Sequence, residues 1–374
     1  MALNISGALS LAGTTLGQSI QLELGGNGTT QISLNDLTVR NLAGIPSGAI
    51  ALNNFYGKSR AMGIFYGGYS TALTDTVTRI NACGALVGSE TAIGTARYDL
   101  AGASVGFNGL FYGGSNGTTC IWSGIKNLVT RINSCGTLVG SQTSVGTARM
   151  YLAGVLVGSN GLFHGGAICD FNTGGIVTRI NACGALVGSE TNTGSYLRHS
   201  HAAAKVGSNG LFYGGRYTCT YYCASMCCGY GGYAGYDCNV NTVARINACG
   251  ALVGSQTSVG TARRGLAGAS VGSNGLFYGG CACYPSYESN VVTRINACGA
   301  LVGSQTSVGT ARSFLAGASV ESNSKGLFYG GYYGSSYPTY TVFNRSTRIN
   351  ACGALVGGET NIGTARADLA GAGF

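Results

Sequence analysis

Charge is scarce in this 374-residue chain. Its 21 Lys+Arg and 12 Asp+Glu make up 9% of the residues, against roughly 25% in an ordinary soluble domain. Proline occurs three times, tryptophan once and histidine three times. Few charges and little Pro beside 22 Tyr exclude an intrinsically disordered chain. Scarce Pro, with no three-residue glycine rule, excludes collagen. No stretch approaches about 20 apolar residues, so membrane insertion is not expected. The opening MALNISGALSLAGTT lacks a basic n-region and a continuous apolar h-region, so it does not read as a secretory signal. The 15 Cys are then expected as reduced thiols. The net charge of +9 reflects missing acids more than added bases, and no Lys/Arg run exists. Nucleic acid is not an expected partner. Neither a phosphate-binding GxxxxGK[ST] nor a CxxC pair occurs, and no acid pair recurs at a catalytic spacing. The expectation is no catalytic residue, no metal and no cofactor.

What the chain has is repetition. RIN begins at Arg79, Arg131, Arg179, Arg245, Arg294 and Arg348. The string [IL]F[YH]GG begins at Ile64, Leu110, Leu162, Leu211, Leu276 and Leu327. GTAR ends at Arg97, Arg149, Arg263, Arg312 and Arg366, and the variant GSYLR supplies Arg198. Each unit reads TAR-x-x-LAGASVGSN-GLFYGG-(variable)-VTRINACGALVGSQTSVG. Four apolar segments of strand length are separated by Gly, Asn or Ser, and no segment is long enough for a periodic helix. Ser-Asn-Gly between the first two is a hairpin signal, and Ala-Cys-Gly between the last two can also turn. Four antiparallel strands repeated six times predict an all-β, six-bladed β-propeller over 61–374. The first unit begins with its second strand, and the chain ends on a lone first strand. Residues 367–373 are therefore expected to complete the blade begun at residue 61 and close the ring.

The match GTAR-x-x-LAGASVG-x-NGLFYGG resembles kelch repeats, which form six-bladed propellers. The fourth unit, Arg198-His-Ser-His201-Ala-Ala, is nearest to that pattern. The resemblance covers 61–374 and departs where RINACGALVG replaces the usual Tyr and Trp. His199 and His201 coincide with the kelch pattern, and His164 replaces the Tyr of FYGG, which predicts a packed position.

Residues 1–60 do not repeat. Ser33 as N-cap and Asp36 at the third helical position can start a helix with Leu34, Leu37 and Leu42 on one side, ended by Gly44 and Pro46. SGALSLAG and QSIQLELGG read weakly as strands or arms. The string TTQISLNDLTVRNLAGIPSGAIALNNFYGKS resembles amino-terminal pieces of tail and structural proteins of tailed bacteriophages. That resemblance implies a small mixed virion-anchoring or oligomerisation module over 1–60. Its partners would be other virion proteins, in a particle assembled in the host cytoplasm and with this chain as a homo-oligomer.

Variation is concentrated in the second-to-third connections. They carry Trp122, then Tyr221, Tyr222, Tyr230, Tyr233 and Tyr236, then Tyr284 and Tyr287, then Tyr333, Tyr337 and Tyr340. Variable Tyr- and Ser-rich loops on a rigid frame are the usual place for binding. They are expected to take a host-surface glycan or protein. Arg97, Arg149, Arg198, Arg263, Arg312 and Arg366 precede the innermost strands on the same face. One reading makes them an anion-attracting ring at the channel mouth, as the kelch resemblance also implies for acidic peptides. The other has each tie its blade to a neighbour's carbonyls. The RIN arginines are expected to be structural. Cys83, Cys135, Cys183, Cys249, Cys298 and Cys352, one per repeat, are expected as small buried hydrophobes. Cys219, Cys223, Cys227, Cys228 and Cys238 cluster in one insert, where a disulfide or metal site stays open. The functional expectation is a non-enzymatic phage tail-fibre or baseplate protein that binds a host receptor. A purely structural capsid-decoration or tail accessory subunit, and a glycan-active enzyme, are the alternatives.

Overall fold

The structure is a computed structural model that describes residues 3, 6–15, 18–23, 29, 31–43, 45, 47–55, 62–106, 108–117, 124–168, 175–194, 198–219, 236–282, 288–320, 324–334 and 341–374. Six four-stranded antiparallel sheets make a six-bladed β-propeller. Blade two is representative, with strands Tyr98–Val105, Asn108–Ser115, Leu128–Asn133 and Thr143–Ser144 from axis to rim. Blade one takes its innermost strand, Ala370–Gly373, from the carboxyl end. That strand pairs antiparallel with Met62–Tyr66, with Ala370 opposite Tyr66 and Gly373 opposite Gly63.

The second strand of each blade reads Leu-Phe-Tyr without alternation because both faces of the sheet are covered. Phe111 turns to Tyr66 of blade one (ring centroids 5.3 Å), whereas Tyr112 turns to Phe163 of blade three (5.2 Å). The core thus consists of slabs between blades. One slab joins Ala101, Val105, Leu110 and Tyr112 of blade two to Leu152, Phe163 and Ile180 at blade three. Near the axis the inner strands come so close that a Cβ on Gly371 would collide with the Gly317 carbonyl oxygen. Only glycine permits this approach. Serine hydroxyls cross-link the same strands below, with Gly373 N donating to Ser104 Oγ at 2.8 Å and Ser270 N to Ser319 Oγ at 2.7 Å.

Several local expectations change. The first hairpin of blade three turns on Gly158-Ser159, with Val157 opposite Asn160, so Asn160 opens the second strand instead of occupying the turn. The repeat cysteines are not buried. Five are exposed and Cys135 is half-buried. Asn181 causes this in blade three: its Oδ1 accepts the Cys183 and Ala185 amides, both at 3.0 Å. This Asx-type turn leaves Cys183 on its solvent side. In the amino-terminal module, the predicted helix is Leu37–Ala43. Asp36 lies just before it and accepts the Arg40 amide at its carbonyl (2.9 Å), because Ser33–Asp36 is folded into its own turn. Ile20–Glu23 is a short helical turn, not a strand. Leu3, Ile20, Val39, Ala43 and Phe55 form a small core there. Gly44 and Pro46 lie outside the described residues.

The blade three–four interface departs from its five counterparts. Elsewhere a Tyr at the end of the second strand meets a Leu of the next inner strand; here these are His164 and His201. Their rings share a hydrogen bond, His164 Nδ1 to His201 Nε2 at 3.2 Å. Burial first, then the Arg198 charge, holds both well below the usual histidine range, so the pair is neutral. His164→Tyr alone crowds His201, and His201→Leu alone removes the ring-to-ring hydrogen bond of His164. Each single change should cost about 1–3 kcal/mol, while the double variant rebuilds the Tyr–Leu contact of the other interfaces and should melt at or above the wild type. Additive losses in a thermal-melting double-mutant cycle would contradict this pairing.

Candidate functional site

The second-to-third connections and the links between blades leave from one face, because successive strands alternate in direction. The described stems of the inserts are there. In blade four, Arg216–Cys219 pairs with Tyr236–Asn239, so Tyr236 stands on an ordered ladder. In blade six, Tyr332 and Tyr333 pair with Val342 and Thr341, and Tyr333 is 47% exposed. Trp122, Tyr221, Tyr222, Tyr230, Tyr233, Tyr284, Tyr287, Tyr337 and Tyr340 lie outside the described residues, as do Cys223, Cys227 and Cys228.

The six link arginines do not form a ring open to the channel. Arg97, Arg149, Arg263, Arg312 and Arg366 are 0% exposed and Arg198 is 3% exposed. Arg366 donates to the carbonyls of Gly67 (2.8 Å) and Thr76 (2.7 Å) and to Thr78 Oγ1. The other four fully buried arginines repeat this fork on their own blades. Each guanidinium thus ties an incoming link to the blade it enters. Arg198 lacks the hydroxyl partner, since Ala244 stands in the Thr position; it donates to the Thr242 and Phe212 carbonyls. Burial pushes it down to about 10, and it remains charged at neutral pH. The RIN arginines lie against glycines of the outer turns; Arg79 runs between Gly88 of its own blade and Gly136 of the next.

A different set of residues occupies the axis on this face. Two positions after each link arginine stand Asp99, Tyr151, Ser200, Gly265, Phe314 and Asp368, all with φ between 54° and 61°. Their left-handed backbone turns each amide to the preceding blade, and the six bonds form a closed circle. Asp99 N donates to Asp368 O (2.8 Å), Tyr151 to Asp99 (2.9 Å), Ser200 to Tyr151 (2.8 Å), Gly265 to Ser200 (2.8 Å), Phe314 to Gly265 (2.6 Å) and Asp368 to Phe314 (2.9 Å). This circle is the floor of an axial cup of about 70 Å³. The residues beside it also differ in every blade. His199 accepts from Arg216 Nε at 3.3 Å, Arg264 Nε reaches Cys281 Sγ at 3.3 Å, and Phe314 stacks on Tyr332 with centroids 5.4 Å apart. The near-identical repeats therefore diverge most at the cup floor, its rim and the inserts.

The cup joins two carboxyls that lie far apart in the chain. Asp99 and Asp368 occupy the same repeat position in blades two and one, and Asp368 belongs to blade one only because the carboxyl-terminal strand closes the ring. Their side chains lie close enough for each carboxyl to alter the proton affinity of the other. Burial, then the charge of Asp368, raises Asp99 well above the usual carboxylate range, with the Tyr151 hydroxyl and Arg216 as weaker opposing influences. Burial raises Asp368 to about 7. No linear spacing displays this pair; superposing the residue two places after each of the six link arginines around a closed ring does.

Because the folded pKa of Asp368 lies above its unfolded value near 3.8, the folded state binds the extra proton. The resulting penalty is absent below about pH 4, grows as pH rises towards 7 and is complete above that. Asp368→Asn should therefore raise the melting temperature at pH 8 by a few degrees, on the order of 1–3 kcal/mol, with no gain at pH 4. A gain independent of pH would show that the carboxyl is not the cause. Comparison with protein-family models gives no match, and no curated protein is similar to the chain.

Proposed function

We propose that the protein is a binding module whose variable loop face captures a ligand over the axial cup. The supporting observation is the distribution of differences among its own repeats. Strands that build the slabs are almost interchangeable, yet the cup floor, its rim residues and the inserts differ from blade to blade on one face. A stability requirement common to six blades explains uniformity, not divergence confined to a single surface. In the fuller reading, the chain is a virion protein of a tailed phage. Residues 1–60 attach it to the particle, and the loop face meets a glycan or protein of the host surface. The phage-like string in 1–60 and the Tyr-rich inserts support this reading.

The test uses the purified full chain and a variant in which 217–238 is replaced by a two-residue turn. The stem register, Arg216 opposite Asn239, permits that closure. Against a panel of bacterial surface polysaccharides and outer-surface proteins, the wild type should bind at least one member, and the variant at least tenfold more weakly with the same melting temperature. Binding that survives the deletion, or no binding by the wild type, refutes the proposal.

A further inference from the structure

The axial cup has unmet acceptor capacity. Asp99 is 6% exposed, and its Oδ2 has no hydrogen-bond partner. His201, 5% exposed, lines the same cup, and its Nδ1 is also unpartnered. Leaving such atoms unpaired is costly for a folded chain. The fold does not demand acids at this position, since Tyr151, Ser200, Gly265 and Phe314 hold the same backbone conformation in other blades. Asn would also accept the left-handed conformation without the charge.

We propose, on the basis of the loop-face binding reading above, that the cup takes the free ammonium group of an amino sugar. A primary ammonium offers three donors and one positive charge to acceptors that lack both. The volume of about 70 Å³ admits an ammonium head but not a pyranose ring, so the ring stays at the rim. Beside it the Phe314–Tyr332 stack supplies aromatic surface of the kind on which a sugar face rests. The nearest cations do not occupy the cup: Arg216 is directed to His199 and Arg264 to Cys281. Tyr98, Tyr151 and Tyr332 are the other titratable groups beside the pair. The elevated proton affinity of both carboxyls fits a site where a cation replaces a proton. Among the described residues no group of three His, Cys, Asp or Glu could hold a metal ion, which favours an organic cation.

The experiment is titration calorimetry of the full chain with glucosamine, N-acetylglucosamine, butylammonium and tetramethylammonium, in buffers of different ionisation enthalpy. Glucosamine should bind with release of less than one proton near pH 7, and several-fold more tightly at pH 7 than at pH 6, because its own amine loses its proton towards pH 8. N-acetylglucosamine and tetramethylammonium should bind at least tenfold more weakly. Asp99→Asn/Asp368→Asn should lose the glucosamine binding while melting no lower than the wild type. No glucosamine binding, equal binding of the acetylated sugar, or undiminished binding to the double variant would overturn the proposal. Butylammonium binding as tightly as glucosamine would overturn the sugar assignment in favour of a lysine-type ligand. If the cup fails while insert-dependent surface binding persists, the loop-face reading stands without it.

Discussion

Removal of Arg366–Phe374 is expected to abolish cooperative melting and to yield aggregated protein. Four paired positions join Ala370–Gly373 to Met62–Tyr66, and each ladder hydrogen bond contributes roughly 1 kcal/mol net. The deletion also removes Arg366, leaving the Gly67 and Thr76 carbonyls without their donor. It opens the circle of amide bonds at Asp368 and exposes the inner edge of Met62–Tyr66. The sum is comparable to the 5–15 kcal/mol that stabilises a whole domain, and the new edge invites pairing with other chains. Gly371→Val tests the same closure with the chain intact, since its side chain has to displace the Gly317 backbone. The readouts are calorimetric melting and size-exclusion chromatography. A soluble truncated chain with an unchanged transition would contradict closure as the source of stability.

The ring and its clasp were legible because they follow from counting. Six copies of three strings, and a first unit lacking the strand with which the last ends, leave one economical arrangement. Local side-chain direction was less legible. Cys183 looks like a small core residue by type, but Asn181 captures the turn's amides and leaves the thiol outside. The link arginines illustrate the reverse error. A periodic charge beside an axis suggests an open ring, yet Arg97 finds acceptors in the Gly113 and Leu128 carbonyls and Thr130 Oγ1. Two of those three acceptors are backbone atoms, which no string of residue letters displays. The Asp99–Asp368 pair was hidden by 269 residues of separation, the difference of their numbers. Only the closed ring, with both residues at one repeat position, turns that distance into contact.

The arginine struts differ from blade to blade in a way that predicts unequal losses. Arg312 donates to the Gly330 and Arg345 carbonyls, both at 2.7 Å, and to Thr347 Oγ1, with Glu359 at 3.8 Å. Arg263 makes the same fork to Gly279, Val291 and Thr293, but Gln305 stands where blade six has Glu359. Arg312→Met and Arg263→Met both orphan buried acceptors; only the first also strips a carboxylate of a buried cation. Burial pushes Glu359 up, but hydrogen bonds from Thr310 and Thr347, with the Arg312 charge, outweigh it and hold the group below its usual value. Without Arg312 one of these stabilising influences is lost, leaving the threonine hydrogen bonds and Arg345. Arg312→Met should cost about 3–5 kcal/mol, and Arg263→Met less, at about 2–3 kcal/mol for the lost hydrogen bonds. Arg345, 3.7 Å from Glu359 but partly exposed, offsets only part of the difference. Adding Glu359→Gln to Arg312→Met should bring the loss to the Arg263→Met level. The pH dependence separates charge from packing. In Arg312→Met the Arg312 charge no longer lowers the Glu359 pKa, so the extra deficit is complete at neutral pH and shrinks as pH falls below about 4.5, whereas Arg263→Met should show no such recovery. Melting temperatures of the three variants between pH 4 and 8 decide the matter; equal losses at every pH would mean that Glu359 does not contribute through its charge.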